Sequence, residues 1–396
     1  MVSASRDVVV VGAGVIGTAV AHYLGEAGLR VTVLDDKPVG SGCTLHGTGL
    51  VWKMIWNEKV QYQLAMEARD VLFDLAPRVH EASGIDPQLH TYDTLLTIFD
   101  DEDVLRLERD IEQSEGDIQV DWLTREDVLA MDARINPEVQ RGAFLKGSAQ
   151  IDGYSLSQGL ARGAERKAVE FLRLRAIGLE RQGDKVIGVV HTGGTIPCAN
   201  VVLCMGAWSN IASDWLGFPV PIKPLKGETL RIKHPEQFPV QISRPSGGGA
   251  SPRKDGLLSV GATGTNRFSD LPGDMIQLEY DPTPTVEGRE YMFGMSKYVI
   301  PSLDRGEVVY HLAGPRPLSA DGMPIIGPVP GVEGAYVATG HRNKGIHLSG
   351  LTGKIIADFI TTGSAETRTP LDRFLAQRFG GGKEIEFQVD GVTTSA

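Results

Sequence analysis

The feature that most constrains the fold is a strand–glycine–helix–strand run near the start of the chain, "DVVVVGAGVIGTAVAHYLGEAGLRVTVLDD" (residues 7–36). Its opening apolar run is typical of a strand buried on both faces of a parallel sheet. Gly12, Gly14 and Gly17 form the pattern G-x-G-x-x-G at the turn, and Asp35 ends the second strand. This spacing predicts a dinucleotide site with the pyrophosphate at the helix N-terminus and Asp35 on a ribose hydroxyl.

A second strand–glycine–helix element lies near the other end, "AYVATGHRNKGIHLSGLTGKIIADFI" (residues 335–360). Its helical part carries Ile346, Leu351, Ile355, Ile356, Phe359 and Ile360 largely on one face, which predicts core packing for that face. The residues just before Gly345 should lie at the positive end of the helix, where negative charge is stabilised.

Composition excludes several classes of protein. The 396 residues favour two domains. The balance of 39 basic against 50 acidic residues argues against a nucleic-acid or anionic-membrane binder. Three cysteines without a C-x-x-C pair, and nine histidines without a zinc spacing, give no reason to expect a metal. We find no secretion signal and no apolar stretch of about 20 residues, so we expect no membrane span and a cytoplasmic location.

The middle of the chain differs in character. Strands are predicted over 93–99, 228–233, 256–263 and 307–314, and helices around 57–83, 102–115, 125–131 (with Thr124 as N-cap) and 154–168. A glycine-rich run, 246–256, reads as a flexible loop near the site, and the tail from Gly380 as an added strand or a disordered segment. Long connections separate these strands, which together suggest a mostly antiparallel sheet.

These segments alternate along the chain. We therefore predict an α/β plus α+β fold, in which a Rossmann-like nucleotide domain is interleaved with a substrate domain built on a mostly antiparallel sheet. The predicted nucleotide domain comprises residues 1–50, 150–220 and 315–380, the substrate domain 51–149 and 221–314, and the tail 381–396. Interleaving of this kind favours a flavoprotein whose cofactor spans both domains.

Several motifs, in order, carry a family resemblance. After the first unit come "GSGCTLHGTGLV" (40–51), "VVLCMGAWS" (201–209), "PLKGETLRI" (224–232), "GPRPLSADGMPIIGP" (314–328) and "TGHRNKGIHLSGLTGKIIAD" (339–358). Together the motifs resemble the D-amino acid oxidase-like family of FAD-dependent amine oxidoreductases, with its glycine oxidase, D-amino acid dehydrogenase and sarcosine oxidase branches. The resemblance covers about residues 6–375.

The resemblance implies FAD contacts at matching positions. The pyrophosphate end would be held by Gly12, Gly14, Val15, Ile16 and Gly17, the ribose by Asp35 and the adenine by Ile177. The path from the pyrophosphate to the flavin ring would be followed by Cys43, Thr44, Thr48, Gly49 and Leu50, and the pyrophosphate side would be closed by Gly206 and Trp208. The ring would be contacted by Gly340, Arg342, Gly345, Ile346 and His347. Some relatives attach the flavin to a cysteine before the Asp-Gly pair, but "LAGPRPLSADG" has none. Non-covalent FAD is expected.

The resemblance also implies the reaction. Hydride leaves the amine-bearing carbon of a small amino acid (glycine, a D-amino acid or an N-alkyl amino acid) for flavin N5, and the imine is hydrolysed. Arg316 of "R-P" would grip the substrate carboxylate, with His341, Asn343 and Lys344 as further catalytic candidates. Where glycine oxidase-like members have G-H-x-R-N-G-I, this chain has G-H-R-N-K-G-I, so specificity is expected to be set there.

Several alternatives stay open. Ser259 stands where sarcosine oxidase-like relatives place a lysine, which leaves oxygen or a quinone-like carrier as the acceptor. The substrate could instead be a 2-hydroxy acid, or the chain a flavin-binding subunit of a hetero-oligomer; homo-oligomers are equally compatible, and a nicotinamide enzyme would leave the C-terminal element unexplained. Trp52, Lys53, Met54 and Trp56 either line the substrate mouth or belong to the core, and His46 either meets the ring or is structural.

Overall fold

A computed structural model describes residues 5–54, 56, 58–261, 278–381, 385–389 and 392–394. Its α-helices are α1 (Val15–Glu26), α2 (Cys43–His46), α3 (Lys59–Ser83), α4 (Asp101–Gln113), α5 (Arg125–Met131), α6 (Gly153–Glu165), α7 (Ala212–Leu216), α8 (Val286–Val299) and α9 (Gly345–Thr362). The predicted helices are present, and Thr124 closes a capping box with Asp127 at the start of α5. That cap satisfies backbone N–H groups that the helix itself leaves open.

The strands are β1 (Arg6–Val11), β2 (Val31–Leu34), β3 (Leu50–Val51), β4 (His90–Ile98), β5 (Val120–Thr124), β6 (Arg141–Gln150), β7 (Glu170–Leu172), β8 (Ala176–Gln182), β9 (Lys185–His191), β10 (Gly194–Leu203), β11 (Ile222–Lys233), β12 (Gln241–Ser243), β13 (Gly249–Pro252), β14 (Leu258–Val260), β15 (Glu307–Ser319), β16 (Ile325–Pro328), β17 (Ala335–Thr339), β18 (Phe387–Val389) and β19 (Val392–Thr394). The segment from Gly206 to Ile211 forms a short 3₁₀ turn.

The first sheet has the order β16-β17-β10-β1-β2-β7, with the β8–β9 hairpin attached to β10. β1 pairs in parallel with both β10 and β2, as buried apolar strands require when helices cover both faces of a sheet. Val8, Val9 and Val10 are fully buried. The carboxyl ends of β1, β2, β10 and β17 therefore meet at one edge, where the glycine turns lie.

The second sheet has the order β15-β11-β14-β13-β12-β4-β6-β3, with β5 against β6. All of its pairs are antiparallel except β12 with β4. The long β11–β15 pair runs from Ile222 opposite Ser319 to Lys233 opposite Glu307. The predicted mostly antiparallel sheet is confirmed, although the end of the predicted strand 256–263 lies outside the described residues.

Two local predictions are refined. The run 246–256 is not wholly a loop, because Gly249–Pro252 forms β13 between β12 and β14. Gly247, Gly248 and Gly249 have φ of +128°, +93° and +120°, so only glycine lets this backbone enter the sheet here. In the tail, β18 and β19 pair in antiparallel fashion, and Phe387 packs with Leu225 and Leu318.

The interleaved order of the chain is visible in the two sheets. The first sheet takes its strands from 6–34, 170–203 and 325–339, and the second takes β3 to β6 from 50–150 and β11 to β15 from 222–319. β3 and the end of β15 belong to the second sheet, so the predicted boundaries at 50 and 315 fall inside or beside strands. Across the described ranges, no helix is both long and apolar enough to cross a bilayer.

Gly17 should be among the positions least tolerant of substitution. A Cβ at Gly17 would lie 1.8 Å from the Gly12 carbonyl oxygen, which is a backbone atom and cannot rotate away. We expect Gly17→Ala to lower the free energy of unfolding by about 3 kcal/mol and to reduce flavin content on purification. Gly294→Ala is the matched control, since Gly294 is also helical and has nothing within 4 Å. Equal melting temperatures for the two variants would contradict this packing.

Candidate active site

A cavity of about 820 Å³ lies between the two sheets. This volume suits a large cofactor together with a small substrate. It is lined by the carboxyl ends of the parallel strands, by the segment 40–50, by the N-terminal end of α9 and by the near face of the second sheet. We call the half beside the carboxyl ends of the parallel strands the nucleotide half and the half beside the second sheet and the N-terminal end of α9 the substrate half, after the ligands predicted for them.

The nucleotide half begins at the first glycine turn. Gly12 has φ of +108°, and a Cβ there would lie 2.3 Å from the Cys204 carbonyl oxygen. The Asp35 carboxylate accepts hydrogen bonds from the N–H groups of Ala13 (2.7 Å) and Lys37 (2.9 Å). Burial nevertheless raises the pKa of Asp35. The carboxylate thus fixes the turn and lies at the end of β2, where a ribose hydroxyl would be expected.

The segment 40–50 is fastened to its surroundings at several points. The N–H of Val15 donates to Thr44 Oγ1 (3.1 Å), which ties α1 to α2. Gly49 has φ of +74° and would place a Cβ 1.8 Å from the Ile151 carbonyl oxygen. Gln150 Nε2 donates to the Thr48 carbonyl oxygen (2.9 Å). These contacts hold the small residues of the segment against the cavity wall.

The outer end of the nucleotide half is aromatic. Trp208 stacks on Tyr280, with ring centroids 5.3 Å apart, and Lys37 Nζ lies 4.9 Å from the Trp208 centroid. Ile177 is 52% exposed at the rim. Gly206 has φ of +55°, which the turn after β10 requires. The Tyr280 contact could not be read from the sequence, because Tyr280 is far from Trp208 along the chain.

The N-terminal end of α9 meets the cavity from the other side. Gly340 and Arg342 have φ of +76° and +51°, so the chain turns twice before α9 begins. His341 Nε2 lies 3.1 Å from Thr352 Oγ1, and burial lowers the pKa of His341 to about 3. His347 Nε2 lies 2.9 Å from the Ala65 carbonyl oxygen, and burial likewise lowers its pKa to about 4. Both imidazoles are neutral near pH 7.

Arg316 lies in the substrate half, on β15. A Cβ on Gly227 of the neighbouring strand would be 2.0 Å from Arg316 Cζ and 2.2 Å from its Nε, so the guanidinium occupies the space that a side chain at 227 would take. Burial lowers the pKa of Arg316, and the nearby Cys43 and Glu228 oppose that shift. An arginine keeps its charge under these conditions. The group is a buried, fixed cation on the cavity wall.

The segment after residue 50 is both cavity wall and core. Trp52, Met54 and Trp56 line the cavity, whereas Lys53 does not. Trp56 is only 6% exposed and belongs to the core around α3 and α9. Lys344 Nζ lies 4.1 Å from the Trp56 ring centroid. The sequence left two interpretations of this segment open, cavity wall or core, and Trp56 belongs to both.

The predicted site residues gather around this one cavity. It is lined by Gly12, Gly14, Val15, Ile16, Asp35, Cys43, Thr44, Thr48, Leu50, Ile177, Gly206, Trp208, Arg316, His341, Arg342, Asn343, Lys344, Gly345, Ile346 and His347. Gly17, Gly49 and Gly340 stand behind the wall and shape the backbone. His46 lines the cavity against Gly314, and Ser259 lines it while Gln150 Nε2 lies 3.3 Å from its Oγ.

Some lining residues were missed by sequence reasoning. Arg106 and Asp110 reach the cavity from α4, and residues 241–245 form part of one wall. Nothing local marks those positions, whereas the adjoining 246–251 belongs to the glycine-rich run that is predicted to lie near the site. Gly227 lies just before the predicted strand 228–233 but inside β11 in the structure, and a glycine inside a strand often indicates a close approach by another group.

The cavity fits FAD. The turn at Gly12 admits no Cβ, and the N-terminal end of α1 faces the cavity. The cavity is continuous from Ile177 in the nucleotide half to His347 in the substrate half. The parallel sheet, the glycine turn and the second sheet across the cavity define the class of flavin-dependent oxidoreductases.

The comparisons give the family. The profile of the FAD dependent oxidoreductase (DAO) family matches residues 7–359. The chain belongs to this family, which confirms the predicted fold, enzyme class and FAD cofactor. It is 30% identical over 362 residues to glycine oxidase of Pseudomonas aeruginosa, covering 90% of this chain and 95% of that one.

Two further relatives extend the comparison. The chain is 27% identical over 416 residues to hydrogen cyanide synthase subunit HcnC of Pseudomonas aeruginosa, covering 94% and 96% of the two chains. The crystal structure of glycine oxidase from Geobacillus kaustophilus superposes with a TM-score of 0.86 at 26% identity, covering 95% of this chain and 100% of that one.

Proposed function

We propose that this protein oxidises the carbon–nitrogen bond of a small amino acid, such as glycine, a D-amino acid or an N-alkyl amino acid. The observation that carries the proposal is the buried guanidinium of Arg316, seated on Gly227 and facing the cavity shared with the predicted FAD residues. A planar two-pronged donor of this kind suits the carboxylate of an amino acid. The similarity to glycine oxidases supports the same substrate class.

Bound FAD would supply the hydride acceptor for the amine-bearing carbon. The residues of the chain bind and orient the substrate: Arg316 fixes the carboxylate, and Trp52 and Trp56 supply apolar wall that limits water. Burial lowers the pKa of His341 and of His347, which makes both imidazoles weak bases, and their Nε2 atoms face Thr352 and the Ala65 carbonyl oxygen, so neither is suited to abstract a proton from the cavity. A substrate that binds with a neutral amine needs no strong base, and water can then hydrolyse the released imine.

Non-covalent attachment of FAD belongs to the same proposal. Cys43 and Cys204 both line the cavity. Burial raises the pKa of both thiols, which disfavours the reactive thiolate. The β15 stretch that carries Arg316 contains no cysteine.

The test is anaerobic reduction of the purified holoprotein. Acid precipitation should first release the yellow flavin into the supernatant. We then expect amino acids or N-methyl amino acids, rather than 2-hydroxy acids, to bleach the flavin absorbance. Bleaching by hydroxy acids alone would overturn the proposal. Air admitted afterwards distinguishes oxygen, which restores the colour, from a quinone-like carrier that must be added, and a requirement for a second subunit would point to a hetero-oligomer.

A further inference from the structure

The charges in the two halves of the cavity differ. Among the residues that the structure describes, the nucleotide half is lined by two acidic and two basic side chains: Asp35, Asp36, Lys37 and Arg175. Within the same described ranges, the substrate half is lined by five cations and one carboxylate: Arg106, Arg244, Arg316, Arg342, Lys344 and Asp110. The whole chain has a net charge of −11, so the described lining of this half has the opposite sign to the chain as a whole. A cleft lined by one sign of charge concentrates ligands of the other.

Part of this positive charge is balanced behind the wall. Arg244 pairs with Asp100 and with Asp103 (2.8 Å), and Arg106 pairs with Glu102 (2.6 Å). These carboxylates do not line the cavity. The two arginines are thereby held in place as fixed donors on the α4 side of the cavity. An amino acid carboxylate held by Arg316 would lie in a space that Lys344 also faces.

Lys344 is the cation best placed for a second acidic group. It directly precedes α9 at Gly345, where the positive end of the helix dipole adds to its charge. Its ammonium is held 4.1 Å from the Trp56 centroid, and Trp56 in turn meets the His347 ring edge-on at 5.3 Å. The lysine is half-buried and on the cavity wall, so an anion there would be partly screened from water. A cation at such a position binds an anion more strongly than one at the surface.

We propose that the substrate carries a second acidic group besides its α-carboxylate, and that Lys344 binds it. This inference rests on the proposed amino acid oxidation and narrows its substrate to amino dicarboxylates, of the aspartate or the N-carboxymethyl type. Arg316 and Lys344 would then hold the two ends of the molecule and fix the amine-bearing carbon between them.

The experiment compares substrates that carry a second acidic group with counterparts that lack it. Holoprotein is titrated anaerobically with both enantiomers of aspartate and with iminodiacetate, and in parallel with both enantiomers of asparagine and with N-methylglycine, while flavin bleaching is followed. We expect half-maximal reduction at about tenfold lower concentration for the best acid than for its neutral counterpart.

The Lys344→Met variant keeps the aliphatic stem against Trp56 and removes the charge. It should raise the half-saturating concentration of the acid about tenfold and change that of the neutral compound less than about twofold, whereas Lys344→Arg should restore most of the preference. Lys297→Met is the matched control, since Lys297 is about half exposed, pairs with Asp304 and does not line the cavity.

The outcomes separate this inference from the proposed function. Equal reduction by acids and neutral compounds, or an equal loss for both in Lys344→Met, would overturn the role of Lys344 while leaving amino acid oxidation intact. Bleaching by none of the amines would overturn both.

Discussion

Replacing Arg316 by alanine should lower kcat/KM for amino acid substrates by roughly 100-fold, about 3 kcal/mol, because a buried substrate carboxylate would lose its charged partner. The guanidinium is held against Gly227 and faces the cavity. Water that fills its place in the variant would not replace the charged, two-pronged hydrogen bonding to the carboxylate. The measurement is steady-state or single-turnover kinetics with the amino acid identified by anaerobic bleaching. Flavin content should not change, since Arg316 lies in the substrate half.

Two controls make this result specific. Arg368→Ala removes an arginine that is 66% exposed and paired with Asp70, and it should leave kinetics unchanged. An amine without a carboxylate, tested on both Arg316→Ala and the parent protein, should show little difference between them. A loss that is just as large for this amine would mean that Arg316 supports the structure of the site and does not bind the carboxylate.

Gly227→Ala should produce nearly the same loss in kcat/KM although the arginine itself is not substituted. The new Cβ would fall 2.0 Å from Arg316 Cζ, so the guanidinium must leave its place on β11. The clash is with the end of a flexible side chain and Gly227 does not need a positive φ, so the fold should persist. We expect kcat/KM to fall by roughly 30- to 100-fold, about 2–3 kcal/mol, with an unchanged melting temperature.

The double variant is the sharper measurement. If Gly227 acts by seating Arg316, then Gly227→Ala combined with Arg316→Ala should be no worse than Arg316→Ala alone. Gly178→Ala is the control, because Gly178 is also a strand glycine and has nothing within 4 Å. Additive losses in the double variant would show that the methyl group at 227 harms the cavity in some other way.

Most of the residues predicted for the nucleotide half line the cavity, and they could be picked out because the sequence signal for them is local. Gly12, Gly17 and Asp35 act within one strand–helix–strand unit, and the backbone conformations they require are written in the spacing of a short segment. The same holds for the N-cap at Thr124. The domain boundaries at 50 and 315 stay predictions, and local patterns could not have placed the strands around them, since a strand joins one sheet or the other through partners that are distant in sequence.

The segment 341–344 shows where local information ends. Its departure from the glycine oxidase-like pattern predicted that specificity is set there, and that remains a prediction. Its side chains have different surroundings in the folded chain. The His341 ring is within hydrogen-bond distance of Thr352 in α9, Asn343 is exposed, and Lys344 lies over the Trp56 ring. Only the path of the backbone, with Arg342 at φ of +51°, separates these roles.

The sequence by itself determined the dinucleotide unit, the family, the cofactor and the cation expected to meet a carboxylate. The tertiary structure decided what surrounds that cation. Arg316 is seated on Gly227 because β11 and β15 pair in one particular register, which places Leu225 opposite Arg316 and leaves Gly227 beneath its guanidinium. Arg106, Arg244 and Lys344 converge on one space only when two sheets built from alternating segments close on each other. The register of two strands and the packing of two sheets against each other depend on many contacts between residues that are distant in sequence, so no short segment can encode them.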